Sequence, residues 1–240
     1  MTCIVSAYFK IPSKKPHDWY LPYLIRFFKG VDRAKLVFFT TDDVIEELKP
    51  LVDLSNVRFL VMNFEDINAF KQYGREFWEI QYERDPERYH SPELGAIWYE
   101  KKEFVLKASQ YVKADVYIWC DAGCVRDDIS SHYLQNFGNR MNGLNDGKIH
   151  LQLISHREKV EFYTYISVHI ACAIIAGNID AWEAYKTTYD CMLNKYTENK
   201  ITGISDQNIT SSCIDARPEL FELYGVKTIC NEWFKFLELL

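Results

Sequence analysis

The sequence predicts an α/β fold, one domain spanning residues 1–240 built on a mostly parallel mixed sheet flanked by helices. Two observations predict it. β-Branched and aromatic runs alternate with amphipathic stretches in the order β-α-β-α-β over residues 3–62, with connections long enough for helical crossovers between parallel strands. Further on, the apolar run Val116–Cys120 (VYIWC) stops abruptly at Asp121-Ala122-Gly123. The carboxyl end of a buried strand is where open α/β sheets hold their ligands.

The elements follow in order. Cys3–Phe9 reads as the first strand, and the polar loop Lys10–Asp18 leads into a helix over Trp19–Lys29 that stops at Gly30. Lys35–Thr41 is the second strand; Asp43 is placed to cap the short helix that ends near Leu51. Val57–Met62 is the third. No G-x-G-x-x-G follows the first strand, so the dinucleotide fingerprint is absent. The segment 64–90 is crowded with charges and aromatics and reads either as an excursion over the sheet rim toward an acceptor or as a locally packed helical insert.

Ser91-Pro92-Glu93 opens a helix with a serine cap, proline at its first position and an acid in its first turn. Leu94, Ile97, Trp98, Phe104, Val105 and Ala108 form its apolar stripe, with Lys101 inside that stripe and Lys102 and Lys107 outside it. A lysine so placed either snorkels to the rim or meets an anion, which here means a carboxylate or a ligand phosphate. Downstream, a helical or loop stretch spans 129–141, Lys148–Ile154 alternates as a strand, and an apolar strand lies within 165–176. Asp180 and Glu183 have the spacing of a capping box for the next helix. Asp206 starts the helix that runs to Ile214, either as its cap or in a chemical role, and the tail from Val226 docks back on the domain.

Composition excludes several classes. Lys and Arg number 28 against 34 Asp and Glu, a net charge of −6 with no basic block, which argues against a nucleic-acid binder. No run reaches the length of a membrane span. The 7 cysteines read as reduced, buried thiols of a cytoplasmic protein. Cys120-x3-Cys124 has no second pair at zinc spacing.

Several segments together resemble one family. They are the opening strand IVSAYF, the helix carrying Trp98-x-x-Lys101, the strand ending WCDAGC, the apolar strand ending Ala176-Gly177-Asn178, the Gly203-x-Ser205-Asp206-Gln207 loop, and the closing Glu232-Trp233-Phe234. In that order they resemble the bacterial HtrL/YibB family and, more distantly, GT-A fold glycosyltransferases of the family 8 kind. The resemblance implies a GT-A-like, Rossmann-like domain, with residues 1–128 binding a nucleotide sugar and 129–240 serving sugar and acceptor. It implies transfer of a hexose or pentose from a UDP- or GDP-sugar to a glycan acceptor. Lys101 would serve the donor site, and Asp121-Ala122-Gly123 would stand where a D-x-D binds Mn2+ or Mg2+ and diphosphate. Asp206 and Gln207 would meet the transferred sugar: on an inverting route Asp206 would be the general base, on a retaining route Asp206 or Gln207 would position the sugar, and Asp121 would complete the catalytic set. The Gly177 turn would shape the donor pocket, and the base would lie near Ala7, Tyr8, Thr41 and Asp42. The pattern departs from D-x-D at Gly123, leaving Asp121 as the single acid for a cation that prefers several oxygen ligands. A nucleotidyltransferase and a non-catalytic sugar-binding module are the other readings.

Overall fold

The computed structural model describes residues 1–31, 35–134, 137, 143–164, 169–225, 234 and 236–240. Seven strands form one sheet: β1 (Thr2–Ala7), β2 (Lys35–Thr40), β3 (Val57–Val61), β4 (Val116–Cys120), β5 (Ile149–Leu153), β6 (Ile170–Gly177) and β7 (Phe221–Gly225). They lie in the order β3-β2-β1-β4-β6-β5-β7. Only β6 runs against its neighbours, so the sheet is mixed and mostly parallel, as expected.

Period-two alternation splits the side chains between two cores. Cys3, Val5, Tyr117 and Trp119 enter one, while Ile4, Ile118 and Cys120 enter the other. The first core is closed by α3 (Asn68–Tyr73), α4 (Arg75–Glu83), α5 (Pro92–Ser109), α7 (Ile179–Glu198) and α8 (Asp206–Ala216). The second lies under α1 (His17–Gly30), α2 (Asp42–Leu48), α6 (Asp128–Leu134) and α9 (Phe236–Leu239).

Local signals succeed at some element ends and fail at others. Ser91 caps α5 as expected, its Oγ accepting from the Leu94 amide at 3.1 Å. The cap of α7 is Asn178, whose Oδ1 accepts from Ala181 N at 2.9 Å, and not the Asp180–Glu183 box. Thr41, not Asp43, precedes the first turn of α2. Residues 64–83 pack locally as a helical insert, with Trp78 fully buried and donating Nε1 to the Ala69 carbonyl at 3.0 Å, while Tyr89 and His90 reach the sheet rim beside the loop after β1. The edge strand β7 has no counterpart in the sequence reading. Of the six cysteines described, five are buried and unbridged, whereas Cys191 is exposed. Cys230, Glu232, Trp233 and the expected strand start at 165–168 lie outside the described residues.

α5 corrects the sequence reading most. It packs against β1, β4, α3, α4, α7 and α8, so almost no side faces water. Glu100, Lys101, Lys102 and Glu103 are all buried, and Lys102, expected outside, is 1% exposed. Each has a partner, without which a buried charge would be untenable. Lys102 donates to the Tyr99 carbonyl at 2.9 Å and lies 3.4 Å from Asp190, while Glu103 meets Lys186 at 2.7 Å. Glu100 accepts from the amides of Asn68 (2.9 Å) and Ala69 (2.8 Å), satisfying the first turn of α3.

Glu100 has a consequence for pH. Burial lifts its carboxyl to about 7, against the pull of the two amides and Lys102. The folded value exceeds the unfolded 4.5, so the folded chain holds this proton more tightly and the group's stabilising contribution falls as pH rises between the two. Glu100→Gln should remove that slope. Urea melts at pH 5 and pH 8 should show the variant gaining on the wild type by roughly 3 kcal/mol; an unchanged difference would refute the titration.

Candidate active site

The chain runs outward from β1 to β2 and β3, then crosses back to place β4 on the other side of β1. The switch point therefore lies beyond the carboxyl ends of β1 and β4, where an open α/β sheet leaves a crevice. A cleft of about 640 Å³ is found there. One wall is the loop after β1, from Ala7 to Lys15; another is Asp121, Ala122, Gly123 and Arg126 after β4. Tyr89, His90 and Trp98 close it from the approach to α5, and His17 and Tyr20 from α1.

Asp121 is held from below. Its Oδ1 accepts from Trp119 Nε1 at 2.7 Å, and Lys101 Nζ lies 3.2 Å from the same oxygen. The side chain keeps 34% of its surface exposed, toward the cleft. Burial raises its carboxyl above the ordinary value; Lys101 pulls it back, Asp206 pushes it further up, and Trp119 lowers it.

Lys101 connects two acids. Its ammonium lies 2.8 Å from Asp206 Oδ2 and donates to the Cys172 carbonyl at 2.9 Å. Lys101 and Asp206 are 4% and 5% exposed. Burial alone would lower the lysine, but the two carboxylates outweigh it and hold the ammonium above its ordinary value. Asp206 is the first residue of α8, where the helix dipole favours an acid; the cap position is Ser205, whose side chain makes no cap bond. The loop before it is tied down by Gln81, whose Oε1 accepts from Gly203 N at 2.7 Å. Gly95 lets that loop approach α5, since a β-carbon there would stand 2.4 Å from Ile204.

A second network lines the β1 side. Tyr8 hydroxyl is 2.7 Å from His17 Nδ1, and His17 Nε2 is 2.9 Å from both oxygens of Glu47. Ionised Glu47 can only accept, so Nε2 carries a hydrogen; in the neutral ring Nδ1 accepts from Tyr8. The His17 bond, with Lys10 behind it, lowers Glu47. Burial, then Tyr20 and Glu47, raises the Tyr8 phenol.

Of the residues singled out in the sequence, Ala7, Tyr8, Asp121, Ala122 and Gly123 meet in this cleft. Lys101 and Asp206 lie beneath its floor and Gln207 is half-buried in the first turn of α8; none of the three is part of the wall. Thr41 and Asp42, at the β2–α2 junction, are not part of it either. The structure does not bring Gly177 to the site. It pairs with Tyr117 at the opposite end of β4, and its lack of a side chain admits the Lys148 carbonyl, 2.9 Å from where a β-carbon would be.

The donor set does not fit a divalent cation. Asp121 is occupied by an indole N–H and an ammonium, Gly123 offers no ligand, and Asp127 accepts from Ser130 N at 2.7 Å. Among the described residues no group of three His, Cys, Asp or Glu side chains is placed to hold a metal. The cleft's charge runs the other way. Among the described lining residues Asp121 is the lone carboxylate, against Lys10, Lys14, Lys15 and Arg126, with His17 and His90 beside them. In a chain of net charge −6 this is a local reversal. His17, Lys14, Lys15 and Arg126 were not recognised from sequence. The signal was present as Lys10-Ile-Pro-Ser-Lys-Lys, a basic loop directly after a buried strand.

Similar folds are known. Mouse xyloside xylosyltransferase 1 in its apo form superposes with a TM-score of 0.53 at 12% identity, covering 97% of this chain and 89% of that one. A CMP:2-keto-3-deoxy-manno-octonic acid synthetase complexed with CTP gives 0.50 at 10% identity, covering 94% and 89%. Core-mannan synthase A from Aspergillus fumigatus, in its Mn/GDP form, gives 0.50 at 11% identity, covering 93% and 72%. These likenesses establish the GT-A-like fold that glycosyltransferases and nucleotidyltransferases share. No curated protein matches the chain. Among the described residues no helix is long and apolar enough to cross a membrane. The model of the family described as "Bacterial protein of unknown function (HtrL_YibB)" matches residues 49–240, most of the chain, and the protein belongs to that family.

Proposed function

We propose that the protein is a glycosyltransferase that moves a sugar from a nucleotide-sugar donor to a hydroxyl acceptor within the cleft between β1 and β4. One observation carries the reading: among the described lining residues a single carboxylate, Asp121, faces a cleft whose other charged side chains are all basic. Such a cleft concentrates an anionic ligand and keeps one base for a proton. The donor's diphosphate lies against the basic wall, and Tyr8, Tyr20 and Trp98 supply flat faces for base and sugar. In the transfer, the glycosidic C–O bond breaks with both electrons leaving on the diphosphate oxygen. The acceptor oxygen forms the new C–O bond from the opposite face and passes its proton to Asp121. One carboxylate suffices for this inverting displacement, and burial raises Asp121 above its ordinary value, which strengthens it as a base.

Asp206 takes a supporting part in this reading: it anchors Lys101, which orients Asp121. All described lining residues but Phe234 come from the first 126 positions, which supports donor binding by residues 1–128.

A second reading, nucleotidyl transfer, is favoured by the lysine loop after β1 and by the likeness to the CTP-bound synthetase. One assay separates the two. Incubation with UDP-, GDP- and CMP-sugars plus oligosaccharide acceptors should release the nucleotide with sugar transferred. Pyrophosphate release from a nucleoside triphosphate and a sugar phosphate or sugar acid would favour the second reading. Binding without turnover in either arm would make the protein a sugar-nucleotide-binding module.

A further inference from the structure

Resting on the donor reading above, we infer that the diphosphate is held by a fixed cation cradle, Arg126 with Lys14 and Lys15, in place of a divalent metal on an acidic pair.

The argument begins at Gly123. A β-carbon built there would lie 3.6 Å from Nη2 of Arg126 and 3.9 Å from the Tyr20 ring. Both are ordinary contacts, so a side chain would fit. What it would meet is a guanidinium. At the position where a D-x-D projects its second acid toward a cation, this chain presents a cation of its own. A divalent ion beside Asp121 would be repelled by Arg126 and would compete with Lys101 for the single carboxylate.

Arg126 is built for an anion. Its guanidinium carbon lies 4.5 Å from the Tyr23 ring centroid, 5.1 Å from Trp19 and 5.2 Å from Phe234. Such ring faces restrict the side chain and offset part of its desolvation. They do not fill its hydrogen-bonding capacity: Nε is buried with no acceptor, and no described carboxylate pairs with the guanidinium. An unfilled buried donor is costly, and a planar fork of donors matches a phosphate group well. Lys14 and Lys15 complete the cradle. Each lies near a ring, Tyr89 at 4.2 Å and Trp19 at 6.0 Å, and neither has a described carboxylate partner. Lys10 differs, being engaged by Asp43 and Glu47, both at 2.9 Å. Three cations with no described carboxylate partner, on one cleft, therefore meet the charge that develops on the leaving diphosphate, without a metal to bridge it.

Calorimetric titration with UDP and GDP, in EDTA and again in Mn2+, tests the cradle. Affinity should agree within about threefold between the two conditions, and Arg126→Gln should weaken it about tenfold or more in EDTA. Arg126→Lys should recover part of the loss, keeping the charge without the fork. Gly123→Asp should weaken metal-free binding by pairing Arg126. Binding that demands Mn2+ and ignores Arg126→Gln in a folded variant would overturn the cradle while sparing the glycosyltransferase. Failure of both nucleotides and of inorganic pyrophosphate to bind in EDTA would also overturn it. If pyrophosphate binds through Arg126 but no nucleoside diphosphate does, the cradle stands and the donor reading fails.

Discussion

Lys101→Met is expected to destabilise the protein by about 3–5 kcal/mol, the range for removing one partner of a buried ion pair. The ammonium lies 2.8 Å from Asp206 and 3.2 Å from Asp121, and it also donates to the Cys172 carbonyl. Asp121 has the cleft and Trp119 to fall back on. Asp206, 5% exposed, has no hydrogen-bond donor among the described residues to replace Lys101 and would be left as an unpaired charge under the floor. The double variant Lys101→Met/Asp206→Asn should recover most of the loss, because it removes the orphaned charge. Urea denaturation of the two single variants and the double measures this coupling. A Lys101→Met protein as stable as the wild type would return the lysine to a phosphate ligand. The sequence reading, which gave Lys101 a donor role, implied little loss of stability. The triad reverses that expectation.

Legibility in the sequence followed the range of the interaction. Strands whose alternation is local, such as β1 and β4, were placed to within a residue or two, and so was the serine cap of α5. Lys102 was misplaced because an amphipathic stripe assumes one wet face, and α5 has neighbours almost all round. Gly177 was misassigned because a glycine turn after a strand says nothing about strand direction. β6 is antiparallel to β4, so its end lies away from Asp121. Asp206 was found as a residue but given the wrong surroundings, since the acid that faces it comes from a segment 85 positions away, Asp121, through Lys101. Arg126 was invisible for a similar reason. Its cage joins two rings of α1 to Phe234 near the other end of the chain.

Asp121→Asn is expected to lower kcat about 10²–10⁴-fold, the span typical of losing a general base, with the fold intact. Asparagine keeps an oxygen for Trp119 Nε1, and Lys101 keeps Asp206, so no buried charge is orphaned. The pH profile should separate chemistry from structure. A base works deprotonated, so wild-type kcat should rise with pH through the Asp121 value, which burial sets above 3.8. That limb should disappear in the variant. Nucleotide binding should move the opposite way. Asp121 is the one negative charge among the described lining residues, so its removal should leave UDP or GDP affinity in EDTA unchanged or tighter. A variant that turns over normally would reduce Asp121 to a turn residue. One that loses, along with turnover, a nucleotide affinity seen only with Mn2+ present would instead make the carboxylate a metal anchor. Arg126→Gln should show the reverse pattern, losing affinity first, because the cleft assigns binding to its cations and proton transfer to Asp121.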